Sequence, residues 1–522
     1  MGKMQTEGRG RGRLGPAVAI VSLAAAVGLA AAGGCAAPIR FPAAPIVQRE
    51  TRAGLVRAYD TDADGHADYF TTQNGDGRTV QIAYDTNGDA APDTYLNLDQ
   101  ISVADCRHIV IILDGVPFDL AKRAYGEGRL RLFHPPVRLI APFPSMTDVA
   151  LADVFGTMRC LGYEALFYDH KQNRLTGGDS YYLDMKNEPW TPHLDYRAGT
   201  VLDALGYLYP RWTFDEELKA FKNLFNRRDR KDLAVYFVST AGIGSREGEE
   251  GLRRCVDEID HVIEELVWQA RGLVKFTLLA DHGHTLKRCE RVDFRKFLRE
   301  RGWHVTDRLA GPRDVAPIEY GLVTYASFAT RDKERLGADL LQHSGVEFVA
   351  YAEGGKIVVE NSGGEAFFER RGGRYRYRTD TGDPLGLKPI LEQLKAGGKV
   401  AEDGFADDAT LFNATALHRY PDPLDRLWRA FHGLAEHVPD VVASLNKGHC
   451  AGAADKSVWL PYMASTHGDL EQSSSTTFIM STAGPLDGFL QEAPAFRSRD
   501  VSEIIEHLTG RPWPPPCERR RP

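Results

Sequence analysis

Short, continuous apolar runs recur at long intervals along this chain. The runs "HIVIILDG" (108–115), "AVYFVST" (234–240), "VKFTLLADHG" (274–283) and "TTFIMST" (476–482) show no alternation of polar and apolar positions. Such runs read as strands buried on both faces. Between them the period becomes helical. Over 247–273, Leu252, Cys255, Ile259, Ile263, Leu266 and Val267 fall on one helix face, which predicts an amphipathic helix. Apolar strands alternating with helices predict an α/β fold, a three-layer α/β/α sandwich around a mostly parallel sheet. Residues 318–383 depart from this pattern. Their alternating, Gly-punctuated segments predict a small antiparallel β subdomain inserted into the larger domain, and helices resume over 384–460. Before the domain, β-forming stretches flank acidic loops over 56–100 and predict β-hairpins.

The N-terminus has a different pattern. Lys3, Arg9, Arg11 and Arg13 precede an Ala-rich apolar run from Leu14 to Ala32, the layout of a secretory leader. The run ends in "LAAAGGCAAP". A Cys after small residues resembles a bacterial lipobox, which implies lipidation of Cys35 and a mature protein anchored in the cell envelope; a simple cleavage near Ala37, leaving a periplasmic or extracellular protein, is the alternative. The plan is a leader over 1–35, a linker over 36–55, the acidic β segment over 56–100, the α/β domain over 105–510 and a Pro-rich tail over 511–522.

A net charge of −8 argues against a general nucleic-acid surface. The seven cysteines lack CxxC spacing, so a zinc–thiolate site is not expected. Outside the cytoplasm some can pair, and spacing alone does not choose the partners.

Two acidic loops, "YDTDADGHADYF" (59–70) and "YDTNGDAAPDTY" (84–95), align on their tyrosines. Asp60, Asp62, Asp64 and Asp68 then match Asp85, Asn87, Asp89 and Asp93, each 25 residues on. Alternating oxygen side chains with a nearby Gly suit a Ca²⁺ loop. The flanks read as strands, and the loops resemble short Asp-rich calcium repeats of secreted bacterial proteins. A solvated Asp/Asn turn is the competing reading.

Parallel sheets place ligands at the carboxyl ends of their strands. Asp114 follows "HIVIIL", and Asp281 and His282 follow "FTLLA". Thr147 lies in "APFPSMTDVALADVFG" before a predicted helix, and His467 lies in "MASTHGDLEQSSSTTFIM". Taken singly, each also fits a turn or cap. Desolvating an Asp beside a His at a strand end is costly without a purpose.

In this order the motifs "FPSMT", "ADHG" and "THG" resemble the alkaline phosphatase superfamily, especially its nucleotide pyrophosphatase/phosphodiesterase branch, over about 107–510. The resemblance implies a metal site of Asp114, Thr147, Asp281 and His282, with Thr147 as nucleophile, and gives His467 to a second metal. It implies zinc and a phosphoester substrate. The second site departs from the pattern: Ala241 and Ser245 stand where Asp and His ligands belong, and Ala150 replaces an Asn. His284, Asp148 and Glu247 are the nearby candidates to substitute. Two expectations follow: a metal-dependent phosphodiesterase or phosphatase-type hydrolase or phosphoryl transferase, or a degenerate surface lipoprotein that binds a ligand or partner without catalysis.

Overall fold

The computed structural model describes residues 41–183, 188–227, 230–459, 462–490 and 493–515. The leader with Cys35, and Cys517 at the other end, lie outside the described residues. Pro42–Pro522 form one unit, a mixed α/β assembly with several sheets.

The first sheet is an antiparallel meander of Val47–Thr51, Gly54–Tyr59, Tyr69–Gln73, Thr79–Tyr84 and Thr94–Asn97. Its edge strand, Val47–Thr51, falls within the stretch expected as a linker. The Tyr59, Tyr69 and Tyr84 rings contact one another in sequence, at 5.8 and 5.3 Å between centroids. Tyr84 Oη donates to Trp268 O at 2.9 Å and Lys275 Nζ to Leu98 O at 2.6 Å, docking the meander on the main domain.

The central sheet has six strands in the order Asp232–Phe237, Arg107–Leu113, Val274–Ala280, Thr476–Ser481, Val137–Ile140, Phe496–Arg497. The first three run parallel, Thr476–Ser481 is antiparallel to both its neighbours, and the last two run parallel. Five of the six strands of this sheet thus run in one direction, as expected, and Thr476–Ser481 runs against them. "TTFIMS" is buried at every position, and a strand buried on both faces carries no direction in its pattern.

The larger sheet has nine strands and is almost wholly antiparallel. It corrects the expected small insertion. Strands Val346–Glu353 to Arg374–Thr381 join Tyr325–Thr330 through Val441–Leu445 in one continuous sheet. Burial alternates with the period of two that a strand imposes. Phe348 and Ala350 face a core with Leu424 and Leu427, while Val349 and Tyr351 face one with Leu336 and Leu340.

Helix Thr147–Phe155 lies between the two sheets. Phe143, Met146 and Val149 pack into the core of the nine-stranded sheet. Leu151, Val154 and Phe155 pack with Val110 and Ile112 of the central sheet. Burying such a side chain stabilises by about 1.5–3 kcal/mol, so the nine-stranded sheet fixes the helix start and the central sheet its end. Trp513, expected in a tail, is buried, stacks on Phe155 at 5.4 Å and donates from Nε1 to Val154 O at 3.3 Å.

Candidate active site

Two neighbouring parallel strands end level with each other. Leu113 pairs with Ala280 and with Phe237. The ladder continues one residue further, as Asp114 N donates to Phe237 O at 3.1 Å and Asp281 N to Leu113 O at 3.3 Å. Two carboxylates are thereby held side by side at the carboxyl edge, both buried. Gly115 then turns with φ +69°; a Cβ there would sit 2.6 Å from His284 Cδ2, so only glycine fits.

The hydrogen bonds leave one set of atoms unspent. Asp281 Oδ1 accepts from Gly115 N at 3.0 Å and His282 N at 2.8 Å. Asp114 Oδ2 accepts from Tyr236 Oη at 2.5 Å. Asp114 Oδ1 and Asp281 Oδ2 have no partner. His282 Nδ1 donates to Gly283 O at 2.9 Å, which leaves Nε2 with a lone pair. That lone pair lies 3.4 Å from Asp114 Oδ1, 3.6 Å from Asp281 Oδ2 and 3.3 Å from Thr147 Oγ1. Asp114, Asp281 and His282 can each offer a ligand atom within 4.8 Å of the others. Buried acceptors facing one another repel unless a proton or cation lies between them. Burial pushes Asp281 up to about 6. Burial and then Asp281 raise Asp114, and burial holds His282 down near 4. Carboxylate oxygens, an imidazole nitrogen and a hydroxyl fit a divalent ion.

Thr147 and Asp148 are half-buried, while Asp114, Asp281 and His282 are buried. The site therefore opens toward Thr147, at the start of a nine-residue helix. Amide hydrogens at a helix start attract anions.

His467 stacks on His282 with centroids 3.9 Å apart, and its Nδ1 donates to Ser145 O at 2.8 Å. Burial, then His282, depress it to about 3. Ala241 and Ser245 are buried in the first turns of helix Ser239–Gln269, whose Thr240 Oγ1 donates to Asp114 O at 2.7 Å. Ser245 O accepts from Ala464 N at 2.7 Å, next to the His467 segment. Ser245 thus lies against the segment that carries His467, and neither it nor Ala241 supplies a carboxylate or imidazole. His284 is there: its ring lies 5.3 Å from His467, and its Nε2 would be 3.4 Å from a Cβ on Gly244. Glu247 is occupied with Arg211 and Arg254 instead. Asp148 is shifted upward by burial and by Glu188.

Sequence reasoning missed Arg426. This buried guanidinium donates to Pro142 O at 3.3 Å, Ser145 Oγ at 3.1 Å, and Pro421 O and Leu470 O at 3.0 Å. Burial lowers it to about 9. It holds the loop that presents Thr147. Its partners are mainly carbonyls, so no side-chain motif signals it.

The acidic loops fold alike. Asp60 accepts from Ala63 N and Gly65 N, and Asp85 from Gly88 N and Ala90 N. Asp62 and Asn87 accept from Asp64 N and Asp89 N; Asp64 and Asp89 accept from His66 N and Ala91 N. Asp60, Asp62 and Asp64 come within 4.8 Å by their oxygens. Asp68 and Asp93 turn elsewhere. Asp68 takes Thr61 N and Thr61 Oγ1, and Asp93 takes the same atoms of Thr86, closing each loop.

No protein-family model and no curated protein sequence matches the chain. Among solved structures, murine ectonucleotide pyrophosphatase/phosphodiesterase 5 aligns with a TM-score of 0.41 at 11% identity, covering 78% of this chain and 96% of that one. An inactive form of the murine protein in complex with AMP aligns at 0.42 and 10%, covering 79% and 96%. The human protein aligns at 0.42 and 10%, covering 77% and 95%.

Proposed function

We propose that this protein is a metal-dependent hydrolase of phosphoric esters (phosphodiesters or nucleotide pyrophosphates) or a phosphoryl transferase, with Thr147 as nucleophile. The observation that carries the reading is the convergence of Asp114 Oδ1, Asp281 Oδ2, His282 Nε2 and Thr147 Oγ1 with no other partner between them. A divalent ion, when bound there, lowers the pKa of the Thr147 hydroxyl and shields charge at phosphorus. Asp114 and Asp281 would give up their protons when such an ion binds and supply its negative ligands, and His282 keeps its lone pair inward because Nδ1 is spent on Gly283 O. The amides opening helix Thr147–Phe155 receive the phosphoryl oxygens. Arg426 positions the loop. The test is turnover on a panel of phosphodiesters and phosphomonoesters. Wild type turns over at least one class and Thr147→Ala loses it while keeping its fold.

A second reading, a ligand-binding protein without catalysis, is favoured by Ala241 and Ser245, which offer no metal ligand at the positions where the resemblance expects them. No turnover on any phosphoester with metal bound would select it.

Two accessory roles belong to the same proposal. Cys35 carries a lipid anchor, so Cys35→Ser releases the protein from membranes; unchanged fractionation would refute this. The loops at Asp60, Asp62, Asp64 and at Asp85, Asn87, Asp89 bind Ca²⁺, with Asp68 and Asp93 closing each loop.

A further inference from the structure

Just after the Asp281–His284 turn the chain runs as a strap across the domain. Thr285 N donates to Thr466 O at 2.8 Å, Cys289 N to Met463 O at 3.2 Å, Glu290 N to Gly448 O at 2.9 Å and Val292 N to Cys450 O at 2.8 Å. Glu290–Arg291 pairs in parallel with His449–Cys450, Arg291 opposite Cys450. Cys289 lies two residues before Arg291, and side chains alternate along a strand, so Cys289 and Cys450 share a face. They pack in one small cluster with Leu322 and Met463. Both thiols are free and buried, and each acts on the other electrostatically. Other described cysteines meet different groups: Cys160 donates to Asp148 O at 3.3 Å, and Cys255 lies 3.9 Å from Arg211 Nη1.

We propose that Cys289 and Cys450 form a disulfide that staples the strap behind the metal ligands to the Gly448–Cys450 segment. The thiols lie in one small buried cluster, on a face they already share, so bridging them asks for a local movement. Cys289 is the less buried of the two, which makes it the attacking thiol once deprotonated. With oxidised glutathione as oxidant, Cys289 Sγ⁻ attacks one glutathione sulfur and expels the other as thiolate. Deprotonated Cys450 then attacks Cys289 Sγ and expels the second glutathione. Two protons and two electrons leave the protein thiols, and two reduced glutathiones form. The bond closes a loop from 289 to 450, which contains every strand of the nine-stranded sheet. Long loops gain most from closure in the chain-entropy account. The proposal is independent of the catalytic reading, because a non-catalytic chain carries the same pair.

The experiment uses the purified, folded full chain, oxidised with glutathione disulfide, unfolded in iodoacetamide without reductant, digested and weighed. The expected result is one linked species joining the Cys289 and Cys450 peptides, lighter than the two reduced peptides by two hydrogens, with Cys106, Cys160 and Cys255 alkylated. Oxidised wild type should melt several degrees higher than reduced, and Cys289→Ser should lose that dependence. Alkylation of both cysteines, a glutathione adduct on Cys289 that never resolves, or linkage of either to another cysteine would overturn the proposal. The mapping uses wild type, so it stands even if Cys289→Ser fails to fold.

Discussion

Two clusters in this molecule each bring three potential metal ligands within 4.8 Å, Asp114/Asp281/His282 and Asp60/Asp62/Asp64, and they differ in almost every other respect. The loop cluster is largely exposed, and its carboxylates accept from backbone amides two to five residues on. Water completes their hydration, so the loop can exist without an ion. The strand-end cluster is buried, and the oxygens facing one another are the ones without partners. Proximity of carboxylates is therefore weak evidence in water and strong evidence in a dry site, because an unpaired buried charge costs several kcal/mol.

Removing a charge should separate the clusters most sharply. Asp281→Asn is expected to cut phosphoester turnover by roughly 10³-fold or more, the range for groups acting as a unit at a reaction centre, whereas Asp62→Asn should leave kcat unchanged. Equal effects in a steady-state assay would dissolve the distinction. Chelation comes next. Chelating the divalent ion should lower wild-type stability by about 3–4 kcal/mol if it is bound at 100 to 1,000 times its Kd, read as a fall in Tm that Asp281→Asn does not show.

The metal-free protein should also respond to pH in a defined direction. Folding raises the Asp281 pKa from 3.8 to about 6 through burial. A raised folded pKa gives stability that is present below about pH 4 and lost as pH rises through about 6, on the order of 2–3 kcal/mol. His282 and His467, depressed by burial, act oppositely and lose stability as pH falls below 6.5 toward 4 and 3. Metal-free Asp281→Asn should accordingly outlast wild type above pH 6 and lose its advantage by pH 4. A difference independent of pH in thermal melts would show that Asp281 is not desolvated.

Arg426→Met should lower kcat roughly tenfold, about 1.4 kcal/mol at the barrier, with metal content unchanged, because Arg426 touches the loop and not the ion. Loss of metal in that variant would place it in the ligand shell instead. The smallest effect belongs to the loops. Ca²⁺ in the 10⁻⁴–10⁻³ M range expected of extracellular modules should raise the melting temperature slightly, and Asp60→Asn with Asp85→Asn should abolish the rise. A melt indifferent to Ca²⁺ would leave the loops as hydrogen-bonded turns.

Much of this was readable from residue pattern. The runs "HIVIIL", "AVYF", "VKFTLLA" and "TTFIMS" fall in the strands of the central sheet, because a strand buried on both faces must be continuously apolar. Asp114, Asp281, His282 and Thr147 converge because each follows such a run or opens a helix. The direction of Thr476–Ser481 was not readable, and it runs against its neighbours. The reach of the antiparallel sheet was missed, since its pairing through Val441–Leu445 is distant in sequence. The predicted helix over 247–273 begins earlier, at Ser239, and breaks at Gly248 with φ 62°. Arg426, His284 and the Cys289–Cys450 contact depend on partners far along the chain and leave no local signal.

The central claim is that the strand-end cluster holds a divalent ion, and metal stoichiometry tests it most directly. Purified full-length protein, loaded with zinc and dialysed, should retain about one ion per chain by elemental analysis. Asp114→Asn and Asp281→Asn, folded by circular dichroism, should retain almost none, while Asp62→Asn matches wild type. Wild type that keeps no divalent ion, or strand-end variants that keep as much as wild type, would contradict the account.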